Sequence, residues 1–143
     1  MASIHKEFTV RAPPAQVWAA LRDFGRVHQV LAQGFVRDCA LEEDGQVRAL
    51  TFANGLQARE RLVAIDEAAR RIVYTSQGGR ATHHNASAQV LPEGDGSRFV
   101  WITDVLPDAL APAIEGMMDA GARAMRQTLE AAASNLPFRA YPD

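Results

Sequence analysis

Six strand-like runs follow one another between Phe35 and Leu106, each ending in a turn, and few folds can hold that pattern. They cover residues 35–43, 46–53, 56–65, 70–77, 82–91 and 98–106. Asp44-Gly45 and Asn54-Gly55 are strong hairpin signals, and Asp66-Glu67, Gly78-Gly79 and Pro92-Glu93-Gly94-Asp95-Gly96 mark the other turns. Connections this short oblige neighbouring strands to pair antiparallel, as a meander. A seventh run, residues 3–12, precedes them, with Ile4, Phe8 and Val10 alternating with polar residues.

Helical segments flank this meander. Pro13-Pro14 ends the first strand and suits the first turn of a helix over residues 15–24, where Val17, Trp18, Leu21 and Phe24 recur at helical spacing up to Gly25. A second short helix is predicted over 27–32, ending before Gly34. Residues 108–136 form one long Ala-rich pattern with Pro112 near its start and Pro137 as its stop. Ile114, Met118, Gly121, Met125, Leu129 and Ala132 make its apolar stripe, and the tail from about 138 reads as loose.

That order has a physical consequence. A seven-stranded sheet twists and curls, and the long C-terminal helix is the only element large enough to cover its concave face. One helix laid across a strongly curved sheet leaves space between them. The expectation is an α+β helix-grip architecture, with a curved antiparallel sheet around the last helix and an internal cavity.

The bulk numbers are compatible with one soluble domain spanning residues 1–143. Hydrophobic residues make up 48% and charged residues 22%, which argues against disorder. The net charge of -2 provides no pull toward nucleic acid. No run approaches the roughly 20 apolar residues of a membrane span, and no apolar leader is read at the N-terminus, so a cytoplasmic protein is expected. Cys39 is the one cysteine and reads as a small hydrophobe. No metal-ligand spacing and no phosphate-cradling glycine motif is found, so neither metal nor cofactor is expected.

Several stretches resemble the START-like superfamily: Asn54-Gly55-Leu56-Gln57-Ala58-Arg59-Glu60-Arg61-Leu62, then Ile65-Asp66-Glu67, Arg71-Ile72-Val73-Tyr74 and Gly78-Gly79. Pro13-Pro14-Ala15-Gln16-Val17-Trp18 with Arg22-Asp23-Phe24-Gly25, and Gly94-Asp95-Gly96-Ser97 leading to Trp101, fit the same pattern. The resemblance covers nearly the whole chain and is closest to bacterial polyketide cyclase/dehydrase-like proteins. It implies a cavity and a hydrophobic ligand, not one reaction. In the related abscisic acid receptors the loop matching Asn54-Gly55-Leu56 is a gate, and the one matching Gly78-Gly79-Arg80-Ala81-Thr82 a latch. This chain departs from those receptors: the segment between Leu56 and Glu60 is shorter, the latch lacks their His-Arg-Leu, and Gln33 stands where they use a lysine.

Side-chain parity selects the cavity wall. His84, Ala86, Ala88 and Val90 share the apolar face of their strand; Arg48, Leu50 and Phe52 share one face of theirs. The resemblance points Ala58, Glu60, Leu62 and Ala64 inward. A three-residue loop, Asn54-Gly55-Leu56, is predicted to pair Phe52 with Ala58 and Leu50 with Glu60. Symmetric turns then set Glu60 opposite Ser76, and Ser76 opposite His84. Phe35, Phe52, Tyr74 and Trp101 supply aromatic lining, and Met118, Gly121 and Met125 close it from the helix.

Glu60 is the residue singled out first, because a carboxylate in an apolar cavity must be paired, hydrated or protonated. It reads either as a general base or ligand anchor, or as a diagonal ion pair with Arg48. His84 reads either as an acid/base group or as a rim histidine bonded to water. With Ser76 these residues invite a hydrolase triad, but no nucleophile elbow or oxyanion loop accompanies the serine. The leading expectation is a binding module that carries, senses or stores a small hydrophobic molecule, as a monomer or homodimer. The alternative is a cofactor-free cyclase, dehydratase or isomerase acting on a polyketide-like or aromatic substrate through Glu60 and His84. A third reading, loops around Gly55 and Gly79 that close on a ligand and present a surface to a partner protein, has no support in the sequence.

Overall fold

The computed structural model describes residues 1–134. Seven strands form one antiparallel sheet: β1 (Ala2–Val10), β2 (Val36–Glu42), β3 (Val47–Phe52), β4 (Gln57–Asp66), β5 (Arg71–Gln77), β6 (His83–Glu93) and β7 (Gly96–Leu106). Their order is β1-β7-β6-β5-β4-β3-β2, a meander from β2 to β7 with β1 returning to pair with β7. Helices α1 (Pro14–Arg22) and α2 (Val27–Val30) lie between β1 and β2. Helix α3 (Ala111–Ser134) follows β7 and packs on the sheet, as the element order predicts. The expected extension of this helix to Leu136 and the loose tail from 138 lie outside the described residues.

Local chemistry accounts for the elements. Pro14 takes the first helical position of α1, where its missing N–H costs nothing. Val17, Trp18 and Leu21 are buried on one face. The helix stops at Arg22 rather than Phe24; Phe24 opens a 3-10 turn (Phe24–Arg26) and is buried there. Trp18 Nε1 donates to Glu67 Oε1 at 2.7 Å, and Arg22 reaches both oxygens of Glu67, which anchors α1 to the β4–β5 turn. Helix α3 buries Met118, Gly121, Met125, Thr128 and Leu129, while Ala132 of the expected stripe is exposed.

The hairpins correct the expected registers. The β3–β4 loop is Ala53-Asn54-Gly55: Phe52 N–H donates to Leu56 O, Gly55 N–H donates to Phe52 O, and Gly55 has φ +90. The glycine supplies the left-handed residue that a three-residue hairpin needs. Leu50 therefore pairs with Ala58 and Arg48 with Glu60, two residues away from the sequence-based register. The slip is even, so every side chain keeps its face. In β4 a bulge at Val63 shifts pairing from Leu62↔Tyr74 to Ala64↔Val73. Ala64 is consequently exposed, and Ile65 packs on the core in its place. At Asp44 the connection is a 3-10 turn (Glu43–Gly45) with Glu42 paired to Val47, longer than a two-residue hairpin.

The concavity is filled unequally. Toward the C-terminal half of α3, Leu129 and Met125 pack in one core with Val17, Leu21, Val90 and Phe99. Phe99 and Leu129 are essentially inaccessible; burial of such side chains contributes about 1.5–3 kcal/mol each. At the middle, a Cβ on Gly121 would lie 3.1 Å from Trp101 Cη2 and 3.2 Å from Phe35 Cε2, so the glycine lets α3 lie directly on both rings. The hollow is confined to the other end, beneath the first turns of α3.

Candidate functional site: a one-ended cavity

A cavity of about 360 Å³ lies between the inner faces of β4–β7 and the start of α3, within the size range of small-molecule sites. Of the residues expected at a ligand, it brings together Phe35, Phe52, Glu60, Tyr74, Ser76, His84, Trp101 and Met118. The other seven do not line it. Arg48 lies behind Glu60; Leu50, Leu62, Ala86 and Met125 belong to the packed core; Gly121 is covered by Trp101 and Phe35. Gln33 is at the far end, in a groove of about 470 Å³ between α1, α2 and the last turns of α3, where Thr128 Oγ1 accepts its backbone N–H. That groove is larger, but it gathers neither aromatic rings nor buried charges.

Sequence reasoning missed part of the wall. Thr103 lies two residues beyond Trp101 on β7, so strand parity points to it; Ile114 lies one helical turn before Met118. The mouth is formed by Leu56 and Gln57 from one hairpin, Gly78, Gly79, Arg80 and Ala81 from another, and Leu110 and Ala113 from the helix start.

Cross-strand pairing places the polar groups. Glu60 is opposite Arg48 on one side and Ser76 on the other. The β5–β6 pairing Tyr74↔Ala86, continued by two residues, sets Ser76 beside His84. Arg48 Nε and Nη2 reach the same carboxylate oxygen, Glu60 Oε1, at 2.9 and 2.8 Å. The pair is directly opposed rather than diagonal, and its side chains are only 8% and 12% exposed. The guanidinium also stacks on Phe24, 4.1 Å from the ring centre, lies 5.1 Å from that of Tyr74, and donates to Phe24 O. Desolvation of the cation is thus offset by a carboxylate, a carbonyl and two π-faces.

Two further groups are fixed by their neighbours. Trp101 Nε1 donates to Tyr74 Oη at 3.0 Å. Burial, then the negative charge of Glu60, holds the Tyr74 phenol well above its ordinary pKa, so it stays a proton donor. Ser76 N–H donates to His84 Nδ1 at 3.0 Å. Burial pushes the His84 pKa below its ordinary 6.5, opposed by the charge of Glu60. A neutral ring accepting at Nδ1 carries its proton on Nε2.

The arrangement can hold a polar group at one end of an apolar ligand and can move a proton there. It does not form a hydrolytic triad: His84 Nδ1 engages the backbone of Ser76, and no bond joins the Ser76 hydroxyl to the ring. Among the described residues no three His, Cys, Asp or Glu side chains gather as metal ligands. Burial raises the pKa of the Cys39 thiol, which lowers the share of reactive thiolate. None of the described helices is long and apolar enough to cross a membrane.

Solved structures share this fold. XoxI from Bacillus cereus superposes with a TM-score of 0.80 at 22% identity, over 90% of this chain and 96% of that one. A START superfamily protein from Mycobacterium smegmatis gives 0.68 at 15%, over 92% and 97%. A point mutant of norcoclaurine synthase from Thalictrum flavum, in complex with a transition-state analogue, gives 0.65 at 19%, over 90% and 93%. No curated protein matches the sequence. Residues 1–136 match the family described as polyketide cyclase / dehydrase and lipid transport, and the chain belongs to that family.

Proposed function

We propose that this protein binds a small, largely apolar molecule in the cavity beneath the start of α3, as a carrier, sensor or store working in the cytoplasm. The observation that carries the reading is the asymmetry of the cavity. Phe35, Phe52, Trp101, Ile114 and Met118 provide an apolar wall, and Glu60, Tyr74, Ser76 and His84 meet at one side. Such a wall with a few convergent polar groups suits a ligand that is greasy at one end and polar at the other. The family's association with lipid transport agrees with it.

Native mass spectrometry of protein purified from its own host tests this. A bound small molecule that is lost on denaturation is the expected result. Protein that arrives empty and takes up no N-phenyl-1-naphthylamine would overturn it.

A second reading has its own support: the second oxygen of Glu60 accepts no hydrogen bond among the described residues, and His84 stands two strands away with its Nε2 proton available. The pair could act as base and acid on an enolisable, polyketide-like or aromatic substrate without a cofactor. The same fold carries norcoclaurine synthase. In this reading Glu60→Gln abolishes turnover while ligand uptake persists; unchanged turnover would remove Glu60 from the chemistry.

A further inference from the structure

The hydrogen bonds already made around the cavity determine which ones are left for a ligand. Arg48 places both fork nitrogens on Glu60 Oε1, and Oε2 has no partner among the described residues. Trp101 donates to Tyr74 Oη, so the phenol's own proton remains to be given. Ser76 N–H occupies His84 Nδ1, so Nε2–H remains to be given as well. The unclaimed set holds one anionic acceptor and two neutral donors on cavity-lining residues, beside the Ser76 and Thr103 hydroxyls, which can give or accept.

From that set we infer that the cavity selects an uncharged ligand bearing a hydroxyl group, whose proton goes to Glu60 Oε2 and whose oxygen, or an adjacent carbonyl, accepts from Tyr74 or His84. The inference rests on the reading of this cavity as a ligand site. A wholly apolar ligand would cover Oε2 and leave a carboxylate oxygen without water or partner, a large penalty. A ligand carboxylate in the same place would meet like charge at low dielectric. Arg80, exposed at the mouth, is the one lining cation that could favour an acid, and there solvent and salt screen it.

Glu60→Gln makes the selection testable through the geometry of Arg48. The guanidinium is a pure donor, so it will hold the amide oxygen and turn the amide nitrogen toward the ligand. The ligand-facing atom changes from acceptor to donor at almost constant volume.

The experiment is titration calorimetry at pH 7 with 2-naphthol, 2-methoxynaphthalene and 2-naphthoate. They share one ring system and differ in having a donor, no donor, or a negative charge. The wild type is expected to bind 2-naphthol about ten-fold or more tightly than either of the others, the scale of one hydrogen bond to a charged group. Glu60→Gln is expected to abolish that preference, with 2-methoxynaphthalene or 2-naphthoate gaining. If 2-methoxynaphthalene matches 2-naphthol on the wild type, the inference falls and the apolar cavity stands. If 2-naphthoate binds best and Arg80→Gln removes its advantage, the site is an acid site and the inference falls. A folded Glu60→Gln variant with the original ranking would overturn the role of Glu60. If none of the three binds while N-phenyl-1-naphthylamine does, the inference falls and the cavity stands; if that probe fails as well, the cavity reading falls and takes this inference with it. The wild-type ranking decides the matter even if the variant does not fold.

Discussion

Ser76 and His84 clasp the turn end of the β5–β6 hairpin through a side chain: the Ser76 N–H donates to His84 Nδ1 at 3.0 Å, where the strand ladder has already ended at Tyr74 and Ala86. Thr75 reinforces it by donating its hydroxyl to His84 O. Beyond this clasp lie Gly78, Gly79 and Arg80, at the cavity mouth.

The clasp depends on pH, and its sign follows from the ring's environment. Protonation would put an N–H on Nδ1, facing the Ser76 N–H. Burial disfavours the imidazolium, the charge of Glu60 favours it, and His83 disfavours it, with a net pKa below 6.5. The unfolded chain therefore binds the proton first as pH falls, and stability rises with pH in that window. The contribution of His84 is complete above pH 6.5 and is lost as pH drops toward the lower, folded-state value. Urea midpoints measured from pH 7.5 to 5 should fall more in the wild type than in His84→Asn, whose amide oxygen can keep the Ser76 bond without titrating. Parallel curves for the two proteins would show that the ring is not the titrating group.

The buried pair behind the cavity predicts a large asymmetry. Arg48→Met would leave Glu60 buried without its cation, at a cost of about 3–5 kcal/mol. Replacing both residues with Met removes the stranded charge and should recover most of that loss. Denaturant unfolding of the two single variants and the double variant gives the coupling directly. Additive losses would mean that solvent reaches Glu60 well enough to replace Arg48.

The architecture was legible because turns and periodicity are local signals. Pro13-Pro14, Asn54-Gly55 and Gly78-Gly79 punctuate the chain; parity put His84 on the inner face, the resemblance put Glu60 there, and the strand register carried Tyr74 and Ser76 to the same wall. The Glu60–Ser76 pairing came out right although the turn at Asp66 is offset by one residue. The bulge at Val63 adds a residue and restores the register before Glu60 is reached. Such compensation leaves no mark in the sequence. The filled part of the concavity was equally hidden, because contact of Gly121 with Trp101 and Phe35 depends on how deeply α3 seats, which no strand pattern encodes. Gly121 and Met125 were therefore expected at the ligand and are found in packing.

That seating predicts the effect of one methyl group. In Gly121→Ala the new Cβ would lie 3.1 Å from Trp101 Cη2, so the ring must shift by a few tenths of an ångström or the helix must lift. The gain in helix propensity, about 0.5–1 kcal/mol, works against the crowding, so net stability should change by less than about 1 kcal/mol. Trp101 also lines the cavity, and its displacement should weaken binding of N-phenyl-1-naphthylamine. Unchanged affinity in Gly121→Ala would mean that the ring relaxes away from the ligand space.

Leu56 offers the cleanest separation of binding from folding. Its side chain is 59% exposed, yet it lines the cavity mouth just after the Ala53-Asn54-Gly55 loop. An exposed leucine contributes little to the core, so Leu56→Ser should alter stability by no more than about 0.5 kcal/mol. An apolar ligand entering the mouth would cover that side chain, and losing the contact should weaken affinity by several-fold, on the order of 1 kcal/mol. Fluorescence titration with N-phenyl-1-naphthylamine, alongside thermal melts, measures both quantities on the same samples. Loss of affinity at constant melting temperature is the expected outcome. Unchanged affinity would place the bound molecule deeper, against Trp101 and Thr103, and would remove the Leu56 hairpin from the ligand's surroundings.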